Sequence, residues 1–169
     1  MAEASVDPAD LESVRSSFLY EPSAFFVDEI TRLDPEAKEL TARFDTTRPL
    51  PLSDLQRTSP SHPAHVSGAE LIMATGCLGL LHAWFFYGCR FDEGWAGFGN
   101  RIHRADFKRL VSRGPELLLQ SRETRARVGE RRIVIRFDFE FFQSDALVYQ
   151  GDQSAMFVRN QSFGHELAR

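Results

Sequence analysis

The stretch Gly68-Ala-Glu-Leu-Ile-Met-Ala-Thr-Gly-Cys-Leu-Gly-Leu-Leu-His-Ala-Trp-Phe-Phe-Tyr-Gly88 decides how this chain folds. It holds one carboxylate, Glu70, and one imidazole, His82, and otherwise no amine or guanidinium. It lacks a period-two alternation and is too long for a strand, so it predicts a helix over 68–88. Such a helix is apolar on nearly every side and must be covered all round, which calls for a sheet that curls about it. Residues 71–87 are barely long enough to cross a bilayer and are interrupted by His82, so a buried core helix is expected, with no membrane partner. Gly76 and Gly79 each cost roughly 1 kcal/mol relative to Ala inside a helix, and make sense where a strand or second helix packs close.

Downstream of this helix, four strand-like stretches follow at 96–107, 116–124, 131–143 and 146–159. The third is the clearest: Ile133, Ile135, Phe137, Phe139 and Phe141 share one face, while Arg136, Asp138 and Glu140 share the other. A turn at Gln143-Ser144-Asp145 folds it into a hairpin with the fourth. Upstream, 24–30 reads as a strand, Asp34-Pro35-Glu36 as a turn and 39–45 as a second strand. Pro49, Pro51, Pro60 and Pro63 make 46–67 a long irregular loop, and loops of that length in a compact domain are usually functional or disordered. Residues 1–19 read as a polar leader in which Asp7-Pro8 is placed to open a short helix. The expected architecture is therefore α+β, a single domain over 20–160, with a tail at 161–169. An isolated sheet of this kind leaves an edge strand unpaired, and side-by-side pairing into a homodimer or higher homo-oligomer is the usual remedy.

A chain of 169 residues has room for one core, and its 15 Phe suit a large sheet or a roomy apolar pocket. The formal charge of −4 argues against general nucleic-acid binding. That average hides a basic segment, since 101–136 holds eleven Lys or Arg against Asp106, Glu116, Glu123 and Glu130. Such segregation either steers an anionic partner or is a solvated strand face. Cys77 and Cys89 lack metal-ligand spacing, and residues 1–10 lack the basic and apolar regions of a secretory leader, so a reducing cytoplasm is expected. No cofactor and no metal is expected.

Three stretches resemble the beta-hydroxyacyl-(acyl carrier protein) dehydratase family of hotdog proteins over about 20–159. Ala24-Phe-Phe-Val-Asp28-Glu-Ile-Thr-Arg-Leu-Asp34-Pro is similar to that family's opening strand. Ile102-His-Arg-Ala-Asp-Phe107-Lys-Arg-Leu-Val111-Ser-Arg-Gly114-Pro-Glu-Leu117 is similar to its central strand, and Val148-Tyr-Gln-Gly151-Asp-Gln-Ser-Ala-Met-Phe157 to its closing strand. The resemblance implies a hotdog fold and dehydration of a 3-hydroxyacyl thioester in fatty-acid or polyketide-like biosynthesis, with acyl carrier protein or coenzyme A as carrier. The sequence departs from that family at the start of the helix, where the expected acid falls on Met73. His65-x-x-x-x-Glu70-Leu-Ile is instead similar to the type III acyl-CoA thioesterases, whose Tyr and Asn would fall near Ser59 and Gly76.

Dehydration needs a base for the Cα proton and an acid for the departing hydroxyl, roles that suit His62 or His65 and Glu70, drawn from one protomer or two. The thioester oxygen needs donors, which the backbone of Gly68, Ala69 and Glu70 offers at a helix N-terminus. Arg101, Arg104, Lys108, Arg109 and Arg113 are the candidate contacts for a phosphate-bearing carrier, and Met73 lies beside the acyl chain. The same parts serve a thioesterase, and the missing acid at Met73 fits a non-catalytic acyl-binding protein. Glu70 also reads as a residue favoured by the helix dipole, His82 as a core or interface residue, and His103 as structural or anion-contacting.

Overall fold

The computed structural model describes residues 8–159. Helix α1 (Pro8–Ser17) is followed by β1 (Glu29–Asp34), β2 (Glu39–Phe44), the long α2 (Gly68–Tyr87), β3 (Trp95–Phe107), β4 (Leu117–Val128), β5 (Arg132–Gln143) and β6 (Ala146–Arg159). The six strands form one antiparallel sheet in the order β1-β2-β4-β5-β6-β3, packed around α2, so the α+β architecture expected from the sequence is the one observed. Twelve α2 residues, Glu70 to Trp84, are buried, as a helix apolar on all sides requires.

Local chemistry sets the boundaries. The Ser67 hydroxyl accepts the Glu70 N–H and the Glu70 side chain accepts the Ser67 N–H, a reciprocal cap on the first turn of α2. Gly88 ends the helix at φ 64°, a left-handed position that favours glycine. The Asp34 carboxylate accepts the N–H groups of Glu36 and Ala37, closing the β1–β2 turn, and Ser144 and Asp145 at φ 48° and 63° build the β5–β6 hairpin. On β5, Ile133, Ile135, Phe137, Phe139 and Phe141 are all buried, as their alternation predicts.

Three expectations are corrected. The first strand starts at Glu29 rather than at 24, because Phe25, Phe26 and Val27 are all buried in succession and cannot alternate. Their carbonyls are capped by guanidinium groups instead of a neighbouring strand, Arg48 on Phe25 at 2.8 Å and Arg15 on Val27 at 2.8 Å. Strand β4 runs four residues past the expected end, held by pairing with β5 as far as Val128 opposite Ile133. Gly76 admits no close neighbour, since nothing lies within 4 Å of where its Cβ would stand, whereas Gly79 faces the Phe137 ring at 3.7 Å. Helix α1 places Leu11 and Val14 in the same core as α2. Residues 1–7 and the tail expected at 161–169 lie outside the described residues.

Candidate functional site

Glu70 is only 2% exposed, and its carboxylate is the hub of the loop before α2. One oxygen accepts the N–H of Leu52 at 2.8 Å and of Ser53 at 3.2 Å. The other accepts the Ser53 hydroxyl and, at 3.2 Å, the Ser67 N–H. Ser53 Oγ in turn accepts the Ser67 N–H at 2.8 Å. Four donors thus converge on one buried carboxylate and tie the Ser53–Leu55 turn to the first turn of the helix.

His62 is exposed and His65 half-buried in that same loop, with their rings edge to face at 5.1 Å. His65 Nδ1 lies 2.8 Å from the Pro63 carbonyl, and its backbone bridges to Ser112. Neither imidazole is hydrogen-bonded or ion-paired to Glu70 among the described residues. The loop therefore brings the two histidines together, and the carboxylate bonds instead to Leu52, Ser53 and Ser67. The N–H groups of Gly68 and Ala69 bond to no described residue, while Glu70 N–H is taken by Ser67. The Phe107 ring covers Gly68, 3.0 Å from where its Cβ would stand, and tilts against Tyr149 at 5.4 Å.

Further along α2 a cavity of about 170 Å³ opens between the helix and strands β3, β5 and β6. Met73, Gly76, Gly79 and Leu80 form its helical wall, and Phe137 and Phe139 line it from β5. Gly97 brings β3 close to the helix, because a Cβ there would lie 2.6 Å from Leu80 and 2.9 Å from Phe157. The cavity has one polar seam. The Gln153 Oε1 lies 3.0 Å from the Thr75 hydroxyl, and Gln153 Nε2 donates to the Tyr149 hydroxyl at 2.8 Å. Burial raises the Tyr149 phenol above its ordinary range. The sequence does not mark this seam, since Thr75 lies on α2 while Tyr149 and Gln153 lie far along the chain on β6, and no motif joins them.

His82 is fully buried at the far end of α2, with Nε2 3.0 Å from Glu123, which also accepts the Tyr87 hydroxyl at 2.8 Å. Burial holds His82 down to about 4, partly opposed by Glu123, so it is neutral at pH 7 and donates from Nε2. The expected core position is the one it takes. Among the described residues no group of three or more His, Cys, Asp or Glu side chains is placed to hold a metal ion.

The basic residues named from the sequence do not form one patch. Arg113 is consumed by the loop, donating to Thr46 and Arg48 carbonyls and to Asp54 at 2.6 Å. Arg104 and Lys108 both face Asp106, at 3.7 and 3.0 Å, and Arg109 is exposed. Arg101 instead joins Arg125, Arg127, Arg132 and Arg136 in a groove on the outer face of the sheet.

This arrangement of a long buried helix in a six-stranded antiparallel wrap recurs in solved structures. A thioesterase mutant from Pseudomonas aeruginosa is 14% identical, with a TM-score of 0.60 over 93% of this chain and 97% of that one. A chain of a dehydratase heterocomplex from Xenorhabdus doucetiae is also 14% identical, with a TM-score of 0.64 over the same shares. The fold is the hotdog fold. A thioesterase from Haemophilus influenzae gives a TM-score of 0.57 at 14% identity, covering 98% of this chain and all of that one. The sequence matches no protein-family model and no curated protein.

Proposed function

We propose that this protein acts on acyl thioesters and seats the acyl chain in the cavity between α2 and the sheet. The observation that carries this reading is the cavity's lining: Met73, Gly76, Gly79 and Leu80 on one side, Phe137 and Phe139 on the other. At about 170 Å³ it is smaller than the roughly 300 Å³ at which drug-sized pockets begin, which suits a short acyl chain. The similarity in fold to thioesterases and to a dehydratase supports the same substrate class. The thioester oxygen would take the N–H groups of Gly68 and Ala69, at the positive end of the helix dipole.

The reaction we assign is dehydration of a 3-hydroxyacyl thioester, carried by acyl carrier protein or coenzyme A, in the cytoplasm. His62 or His65 would withdraw the Cα proton and, as the imidazolium, return it to the 3-hydroxyl, so that the C–O bond breaks, the double bond forms and water leaves. The working unit would be a homodimer paired through β3, which is hydrogen-bonded on one side to β6 and bears exposed Phe98, Ile102 and Phe107. One observation favours a second reading, binding without turnover. The Glu70 carboxylate is already committed to four donors, and Met73 occupies the cavity wall where the dehydratase resemblance calls for an acid.

Incubation with 3-hydroxyacyl and saturated acyl thioesters separates these. Loss of water from the first supports dehydration, and free thiol from either supports hydrolysis. Saturable binding without product supports the second reading. Absence of binding, or binding unchanged when Gly76→Phe closes the cavity, overturns the acyl-thioester assignment.

A further inference from the structure

The outer face of the sheet carries four arginines that no described carboxylate pairs. Strand register makes the cluster. Arg125 on β4 stands opposite Arg136 on β5, Arg136 opposite Ser154 on β6, and Ser154 opposite Arg101 on β3, one row across four strands. In the next row Arg127 stands opposite Val134, and Val134 opposite Met156. Arg132 closes the end. The rows border a groove of about 800 Å³, within the roughly 300–1,000 Å³ of small-molecule sites, and none of its lining residues is acidic.

Like charges directly opposite each other in a sheet repel, so this arrangement opposes its own folding. Arg136 has a partner in Asp152, which takes two of its N–H groups, at 2.8 and 2.5 Å. Arg101, Arg125, Arg127 and Arg132 form no ion pair among the described residues. All four are exposed, and Val134 and Met156 lie half-buried between them. Planar guanidinium forks fit phosphate oxygens in pairs, and a flat apolar floor fits an aromatic base.

We infer that this groove binds a nucleotide carrying two or more phosphate groups, its base on Val134 and Met156 and its phosphates on the surrounding arginines. The source we assign is the 3′-phosphorylated ADP end of coenzyme A, a choice that rests on the acyl-thioester reading. The phosphate chemistry of the groove stands without it. The groove is a site separate from the acyl cavity, which lies on the other face of the sheet; Ser154 lines both.

The test is calorimetric titration of the full chain at fixed ionic strength with coenzyme A, 3′-phosphoadenosine 5′-phosphate, inorganic pyrophosphate and an acidic acyl carrier protein. Coenzyme A and the nucleotide should bind, and the double variant Arg125→Gln, Arg127→Gln should weaken both at least tenfold. Arg127→Lys, which keeps the charge and loses the fork, should fall between. Relief of repulsion should leave the double variant at least as heat-stable as the parent, which shows that it folds. Nucleotide affinity unchanged in the double variant overturns the inference. So does pyrophosphate binding as tightly as the nucleotide, or Arg-dependent binding of the carrier protein alone. Arg-dependent nucleotide binding by a protein that ignores every acyl thioester keeps the groove and refutes only the source.

Discussion

Removing the Glu70 carboxylate tests whether it is a structural hub or a catalytic group. In Glu70→Ala the N–H of Leu52, the N–H and hydroxyl of Ser53, and the Ser67 N–H all lose an acceptor. Ser67 keeps its bond to Ser53 Oγ, and Leu52 is exposed enough for water to replace the carboxylate. The loss therefore falls on the N–H and hydroxyl of Ser53, which is buried, while the Ser67 hydroxyl still caps the backbone N–H of residue 70. Each buried polar group left unpaired costs about 1–3 kcal/mol. The two groups give about 2–5 kcal/mol, because bonds to one carboxylate do not add independently. For a chain of this size each kcal/mol lowers Tm by about 2–4 °C, so a fall of roughly 4–20 °C is expected. Glu70→Gln should fall less, since one oxygen still serves Leu52 and Ser53 while the amide nitrogen meets two donors. Urea and thermal unfolding, followed by tryptophan fluorescence and circular dichroism, give both values. A Glu70→Gln protein with unchanged Tm and no remaining turnover would refute the structural assignment and restore Glu70 as the acid of a dehydratase.

His82 predicts a pH dependence. Its folded value of about 4 lies below the ordinary 6.5, so the unfolded chain takes up a proton that the folded chain refuses. The contribution is full above about 6.5 and is lost as pH falls toward 4, amounting to at most about 3 kcal/mol. Urea midpoints between pH 7 and 4.5 should show this slope, and His82→Leu should flatten it; an equal slope in both assigns the effect elsewhere. Gly97→Ala should destabilise by about 1–3 kcal/mol through overpacking against Leu80 and Phe157, whereas Gly76→Ala should stabilise by up to about 1 kcal/mol. Thermal shifts of the same sign for the pair would contradict the cavity's geometry. Arg113→Met should release the loop before α2, seen as faster proteolysis between residues 46 and 67 with the sheet intact; an unchanged cleavage rate would show that its three bonds are not what holds the loop.

Local periodicity made most of the fold legible. The alternation of β5, the turn chemistry at Asp34 and Ser144–Asp145, and the unbroken apolar run of α2 each follow from side chains close together in sequence. The start of the first strand is not legible in the sequence, because Phe25, Phe26 and Val27 favour extended structure while the Phe25 and Val27 carbonyls are taken by Arg48 and Arg15, which the chain supplies from either side. The site was less legible. Ser67-x-x-Glu70 is a capping signature in sequence, but the commitment of the carboxylate to Ser53 spans 17 residues of irregular loop.

The apolar run of α2 specified by itself a helix covered on nearly every side, because so much apolar surface must be kept from water. It also supplied Glu70, His82 and the two glycines at known positions along that helix. What each of them does was decided by tertiary structure alone. Glu70 became a hub when a distant loop brought its donors, and Gly76 became cavity wall when no strand filled the space beside it. On the outer face, scattered arginines became one groove when register set four strands side by side. Hydrophobic periodicity is a local property of the chain, whereas hydrogen-bond partners and charge neighbours are fixed by which distant segments the packed core brings together.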